Sequence, residues 1–389
     1  MKKLVILSHE SIFSGYVLSG VAELVDSLAN SLSKDYDVSI ICYDGNGILS
    51  SLANNIRKTD NGVRKCRFSA VTYYMLKPDM WWEKVPGIVE QIRPDILHNF
   101  ADPGMLRTLH SRPHRTIYTI DHAKFVINTA EFLLDYDSVT TVSKNYANEI
   151  LNAGDNLSKI LTEVDFHGIT NGILTPVFAP EKGLLIPAKY TADDQIGKQA
   201  CKERLLQTYG ITGNPYLCLM MCRLVRDKGL DDIFNTIETI RDSGGILVVV
   251  GKGDAVYERQ LMKLRRADGV VYVGRWASPI QAAPLAAGAD FYICPSITEP
   301  CGLMPMTASR YGAIPIVTQN GGLADNFNYD NAIIINENGV SDAIVRASEL
   351  YNNKEALAAK RKICMEQDFS WKTRKAGYIE LYEKEVVTV

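Results

Sequence analysis

Apolar residues along this chain come in short runs, each followed by a polar, glycine-bearing turn and then by a helical pattern. Leu4-Val5-Ile6-Leu7 reads as a buried strand, and Ser14 to Gly20 as a loop. Val21, Leu24, Val25, Leu28 and Leu32 share one helical face, and Tyr36 to Cys42 makes a second strand. Strands are predicted at 66–71, 96–98, 116–120 and 138–142, with a helix over 144–151 after the last. A second series starts at a strand over 216–222. It continues as helix 230–241, strand 246–250, helix 257–266 and strand 270–273. The strand 289–296, stopped by Pro295, leads through Ile297-Thr298-Glu299-Pro300-Cys301-Gly302-Leu303 into a helix over 304–311 and a strand over 314–318. Helices over 341–351 and 354–366 follow, then Phe369-Ser370-Trp371 and an amphipathic helix to about Lys384.

Strands alternating with helices predict parallel sheets covered on both faces. The segment 168–176, with its Asn171-Gly172 pair and Pro176, reads as the crossing between two domains. The expected fold class is α/β, with two Rossmann-like domains facing across a cleft. The first domain is expected over 1–175, with the C-terminal helix 371–389 packing back on it, and the second over 176–370.

The chain's 389 residues suffice for two domains, and 46% apolar with 22% charged residues is the balance of a soluble globular protein. A net charge of −3 offers nothing to nucleic acid or to an anionic membrane. The N-terminal apolar run is too short for a signal peptide, and no run nears the ~18 residues of a membrane span. Eight scattered cysteines, without zinc-type pairs, fit a reducing, cytoplasmic setting. Cys218 and Cys222 sit in an apolar run and read as buried thiols.

Candidate chemistry gathers where strands end. A helix opening near Gly302 would aim free N–H groups at an anion, with Glu299 just ahead of it to accept hydroxyl hydrogen bonds. A phosphorylated sugar suits that pairing. Arg223 and Lys228, five apart after a strand, would converge on a diphosphate, or else form a solvated loop. Asp231 and Asp232 read as a helix N-terminus rather than a metal pair. Gly197-Lys198 is too short a match for a phosphate loop. Cys301 has no neighbouring base to make it a nucleophile.

Several motifs in order resemble the glycogen and starch synthase family of retaining GT-B glycosyltransferases. They are Glu299-Pro300-Cys301-Gly302-Leu303, Arg310-Tyr311-Gly312-Ala313-Ile314-Pro315 and Gly321-Gly322-Leu323-Ala324-Asp325. Arg223-Leu224 with Asp227-Lys228-Gly229-Leu230 is similar to the family's R-L-x-x-x-K-G-L. The stretch from Ile186 to Lys198, Asn171-Gly172-Ile173 and Phe369-Ser370-Trp371 add to the likeness, which covers roughly 165–385. Thr307 stands where many retaining GT-B enzymes carry a second Glu, a departure the synthases share. The N-terminal half matches less: Val17 replaces a phosphate-binding lysine, the H-D-W-H region corresponds to His98-Asn99-Phe100-Ala101-Asp102-Pro103, and Asp121 occupies a histidine position with His122 one step later. That half is also shorter than in typical synthases.

The resemblance implies a hexosyltransferase, using a nucleotide-glucose donor (ADP-glucose first, UDP-glucose second) on an α-glucan acceptor, with no metal and no other cofactor. Glu299, Arg223, Lys228, Asp121 and His122 are the implied catalytic residues. Gly20, Arg223, Lys228, Trp276, Cys301, Gly302 and Leu303 are the implied donor-binding ones. Gly20 either admits the diphosphate to the backbone or shapes a turn. Trp276 either stacks the nucleobase or packs. The altered N-terminal positions leave open another acceptor, such as a surface-polysaccharide precursor or small glycoside, a nucleotide-sugar or glycan binding protein without turnover, and, remotely, an epimerase.

Overall fold

Continuous Val, Ile and Leu runs become strands here because a parallel sheet covered on both faces buries every side chain. The computed structural model describes residues 1–17, 20–45, 57–58, 62–264, 269–275 and 279–385. The chain divides into two units, Met1–Gly172 with Ser370–Val389, and Ile173–Phe369.

Among the described residues the first unit carries nine strands: β1 (Lys3–Leu7), β2 (Asp37–Tyr43), β3 (Arg57–Lys58), β4 (Arg64–Phe68), β5 (Val71–Leu76), β6 (Ile96–Asn99), β7 (Arg115–Ile120), β8 (Ser138–Thr141) and β9 (Phe166–Gly168). Their order is β3-β4-β5-β2-β1-β6-β7-β8-β9. All neighbours are parallel except β3–β4 and β4–β5. The single strand expected over 66–71 is instead the turn of a hairpin. Ser69, at φ 55°, reverses the chain between β4 and β5. The helix Trp81–Ile92 that follows carries no expectation from the sequence, because Pro86 and Gly87 interrupt its pattern.

Two short helices, Trp371–Arg374 and Ala376–Glu383, belong to this unit although they end the chain. Trp371 Nε1 donates to Ser27 Oγ at 2.8 Å, and Tyr378 OH donates to Asn171 Oδ1 at 2.9 Å. Buried His98 bridges Tyr382 OH (2.7 Å from Nδ1) and Thr119 Oγ1 (2.6 Å from Nε2). Burial pushes its imidazole down to about 3, so the ring is neutral, with one nitrogen donating and the other accepting.

Among the described residues the second unit holds six parallel strands, β10 (Tyr216–Met221), β11 (Gly245–Val250), β12 (Val270–Val273), β13 (Phe291–Cys294), β14 (Ile314–Val317) and β15 (Ile333–Ile334), ordered β12-β11-β10-β13-β14-β15. Its core joins Tyr216, Leu247, Val249, Phe291, Ile293 and Ile316 to Ile233, Ile237 and Ile240 of the helix Leu230–Asp242.

Lys198 finds its explanation here. Its buried Nζ donates to the carbonyls of Ala287, Ala289 and Tyr311 at 3.1, 2.9 and 2.8 Å. Beside it, Asp290 pairs with Lys202 at 2.7 Å and with Arg361. The Gly197-Lys198 pair therefore stitches the ends of helices to the start of β13, and the three Lys198 hydrogen bonds all stay inside the unit.

Both sheets reverse their direction of growth at one place. In the first unit the chain adds β2 and β5 on one side of β1, then β6, β7 and β8 on the other. In the second it adds β11 and β12 beside β10, then β13, β14 and β15 opposite. Loops leaving the carboxyl ends of the two strands at such a reversal part in opposite directions, and the crevice between them is where open α/β sheets bind ligands.

Candidate functional site

At the β10/β13 crevice, two loops lie against each other with no room for a side chain between them. Gly229 has φ 70°, and a Cβ on it would lie 2.0 Å from Pro295 O. Ile297 N donates to Asp227 O at 2.8 Å, fastening the same two loops. On the other flank Gly321, φ 42°, leaves only 2.1 Å between a would-be Cβ and Glu299 O. Gly322 N donates to that same carbonyl at 2.9 Å. Asn320 Nδ2 reaches Ser296 O at 2.6 Å and Ile297 O at 2.9 Å, and Thr318 Oγ1 reaches Ser296 O at 2.8 Å. The segment 296–302 is thus held from both sides before any ligand arrives.

These anchors bring Lys228 and Glu299 together at 2.7 Å, with side-chain exposures of 14% and 17%. Glu299 Oε2 also lies 3.4 Å from Ser296 Oγ and 3.9 Å from Cys294 Sγ. Its other oxygen has no hydrogen-bond partner among the described residues. Burial alone would lower the Lys228 ammonium. Glu299 outweighs it and raises Lys228 above its ordinary value, so the lysine is charged. Arg223 is half-buried and its guanidinium has no partner among the described residues. Both cations and Glu299 act on the same thiol, Cys222, which burial pushes up to about 12. An unspent arginine beside a fixed lysine is a receptor for an anion, and the open carboxylate oxygen beside them accepts hydroxyls.

Gly302 caps the helix Leu303–Arg310, whose first N–H groups have no intrahelical partner. Cys301 is buried, its carbonyl taking Asn326 Nδ2 at 3.0 Å. Thr307 is buried in that helix, its hydroxyl without a partner among the described residues. The loop Gly251–Asp254 pairs with Leu224, whose N donates to Lys252 O at 2.8 Å. Asp231 and Asp232 lie in the first turn of the helix Leu230–Asp242. Trp276 lies outside the described residues.

The remaining candidates sit in the first unit. Gly20 precedes the helix Val21–Leu32, and its carbonyl accepts Leu24 N at 3.0 Å. Val17 is 44% exposed. Asp121 and His122 follow β7. His122 Nδ1 accepts from Lys124 N at 3.4 Å, and its ring meets Phe125 and Tyr146 edge-on. Sequence reasoning did not assign Ser296, Thr318 or Asn320. Only the glycine pair after Asn320 hinted at a backbone approach there.

Comparison with known proteins bears on this arrangement. The family model described as "Glycosyl transferases group 1" matches residues 215–353, the span of the crevice. A glycogen synthase of Geotalea daltonii is 32% identical over 333 residues, covering 77% of this chain and 69% of the relative. The chain belongs to the glycogen synthase family. A Lactococcus lactis glycogen synthase is 34% identical over 270 residues, but the match spans only 56% of that protein. The catalytic domain of Arabidopsis thaliana starch synthase IV, solved bound to ADP and acarbose, superposes over 100% of both chains with a TM-score of 0.85 at 21% identity. The GT-B fold of the family is therefore the fold of this member.

Proposed function

We propose that this glycogen synthase family member transfers glucose, with retention, from a nucleotide-glucose donor to an α-glucan. The observation that carries the reading is the Lys228–Glu299 pair at the sheet reversal, with Arg223, whose guanidinium has no partner among the described residues. Arg223 and Lys228 take the diphosphate oxygens, holding the charge that grows as the leaving group departs. Two side-chain cations fill the neutralising role, so the proposal includes no metal and no other cofactor. Glu299 accepts hydroxyls of the transferred sugar through its open oxygen. Cys301, Gly302 and Leu303 supply backbone N–H groups, and Trp276 stacks the base.

In the proposed step the bond from the anomeric carbon to the phosphate oxygen breaks. The acceptor oxygen bonds to that carbon on the same face, and its proton passes to the departing phosphate. No protein base is needed. Asp121 supports the cationic sugar, His122 donates to an acceptor or phosphate oxygen, and Gly20 admits the diphosphate to the backbone. ADP-glucose is placed ahead of UDP-glucose, because the starch synthase that superposes so closely was solved with ADP.

The test is to incubate the protein with ADP-glucose or UDP-glucose, with and without malto-oligosaccharides, following nucleotide release and glycan length. Elongation from one donor supports the reading. Release without elongation moves the acceptor to another glycoside, a reading favoured by exposed Val17 at the lysine position. Absence of both, with ADP still bound, refutes transfer and leaves a binding protein.

A further inference from the structure

In the second unit the helix Ile196–Tyr209 packs on the helix Pro279–Gly288. They meet tightly at Gly288, where a Cβ would lie 2.8 Å from Leu205 Cβ. Beside the same two helices a cavity of about 250 Å³ opens. Leu205, Pro284 and Leu285 give it an apolar wall. Arg204 and Tyr209 line it from the first helix, and Arg275 lines it from just beyond the end of β12.

Arg310, Arg346 and Arg361 of this unit are each tied to a carboxylate, Glu181, Asp342 and Asp290 respectively. Arg204 and Arg275 are not. Both are exposed, and neither guanidinium has a hydrogen bond or ion pair among the described residues. No carboxylate among those residues lines the cavity either. Two like charges at one hollow repel until something negative lies between them.

The Tyr209 hydroxyl completes the polar side. The residue is half-buried, and its hydroxyl has no partner among the described residues. Burial raises the phenol above its ordinary value while the neighbouring Arg275 charge acts the other way, so the hydroxyl keeps its proton and can donate it to a ligand oxygen.

Charge and surface together decide what fits. A phosphate monoester carries about −1.5 to −2 charges at pH 7, which two guanidinium forks match, and the phenol O–H serves a further oxygen. The apolar wall asks for carbon on the other side of the same molecule, and the volume keeps that molecule small. The donor crevice is elsewhere: β12 is the sheet's edge, two strands from β10, and Arg223, Lys228 and Glu299 do not line this cavity.

We propose that Arg204, Tyr209 and Arg275, with the apolar wall beside them, form a second anion site that takes a small organic phosphate by its phosphate group and its carbon skeleton together. The site stands apart from the donor crevice and does not depend on the transfer reading above.

Calorimetric titration of the full chain with phenyl phosphate, an aromatic ring carrying a phosphate, tests it. The wild type binds this probe about tenfold tighter than inorganic phosphate or phenol, each of which offers half of the chemistry. Arg204→Gln and Arg275→Gln change exposed side chains and leave the unfolding midpoint in place, yet each weakens binding about tenfold or more. Tyr209→Phe weakens it roughly threefold. Lys228→Met, which removes a cation of the donor crevice, leaves this affinity as it was. No heat from the wild type at about 10 mM phenyl phosphate overturns the proposal. So does inorganic phosphate binding as tightly as the ester, or loss of binding in Lys228→Met with full affinity in Arg204→Gln. The readout needs no turnover: phenyl phosphate held through Arg204 by a protein that never consumes a nucleotide-sugar keeps this site and refutes only transfer.

Discussion

Lys228→Met is the substitution on which the donor-site argument depends. It keeps most of the side-chain volume and removes the ammonium. Glu299 Oε2 then loses its 2.7 Å partner and retains only Ser296 Oγ at 3.4 Å and Cys294 Sγ at 3.9 Å. A charge-assisted bond at this level of burial is worth roughly 1.5–3 kcal/mol. For a unit of this size that corresponds to a fall in Tm of roughly 4–10 °C. Loss of a cation aimed at the charge developing on the leaving diphosphate costs about 10²–10³ in kcat. The two effects separate in the double variant with Glu299→Gln. Removing the stranded carboxylate restores much of the stability, while turnover stays down because the clamp is still missing and the sugar-binding carboxylate is now gone as well. Nucleotide release from ADP-glucose, followed with a coupled assay alongside thermal unfolding, measures both. Lys228→Met within threefold of wild-type kcat, or a double variant that regains turnover, refutes the assignment.

Gly229→Ala places a Cβ 2.0 Å from Pro295 O at φ 70°. We expect a stability loss of roughly 1–3 kcal/mol and donor affinity down at least tenfold, read by denaturant unfolding and by ADP calorimetry. Burial lifts Glu23 from 4.5 to about 7 and Asp26 from 3.8 to about 6. A raised carboxyl binds its proton more tightly when folded, so its stabilisation is complete below the unfolded value and lost as pH rises through the folded one. First-unit stability therefore falls between about pH 4 and 7. Glu23→Gln flattens that fall by about 3 kcal/mol, as urea titrations across pH would reveal. His98→Leu strands Tyr382 OH and leaves Thr119 Oγ1 with Thr140 Oγ1 at 2.6 Å. It should cost roughly 2–5 kcal/mol and loosen the C-terminal helices first, seen as faster amide exchange over 371–383.

The alternation of apolar runs with glycine turns was enough to read the α/β class and most strands, because a parallel sheet buried on both faces leaves little choice of residue. The Arg223–Lys228 and Glu299–Leu303 stretches were legible for a similar reason: their glycines, proline and charges serve backbone shape and ligand at once. The β4–β5 hairpin was not, since nothing in Phe68-Ser69-Ala70-Val71 announces a left-handed serine. Nor was the helix Trp81–Ile92, with Pro86 and Gly87 inside it.

Residue pattern thus determined most of the elements that form and which loops carry charge. Only the tertiary structure decided that Lys198 is spent on three carbonyls while Arg223 has no side-chain partner among the described residues. Only the tertiary structure brings Arg204 and Tyr209 of one helix to the same cavity as Arg275 beyond β12. Local preference acts between near neighbours in sequence. Which polar atoms are left without a partner is settled by distances across strands, and strand order is a property of the packed sheet.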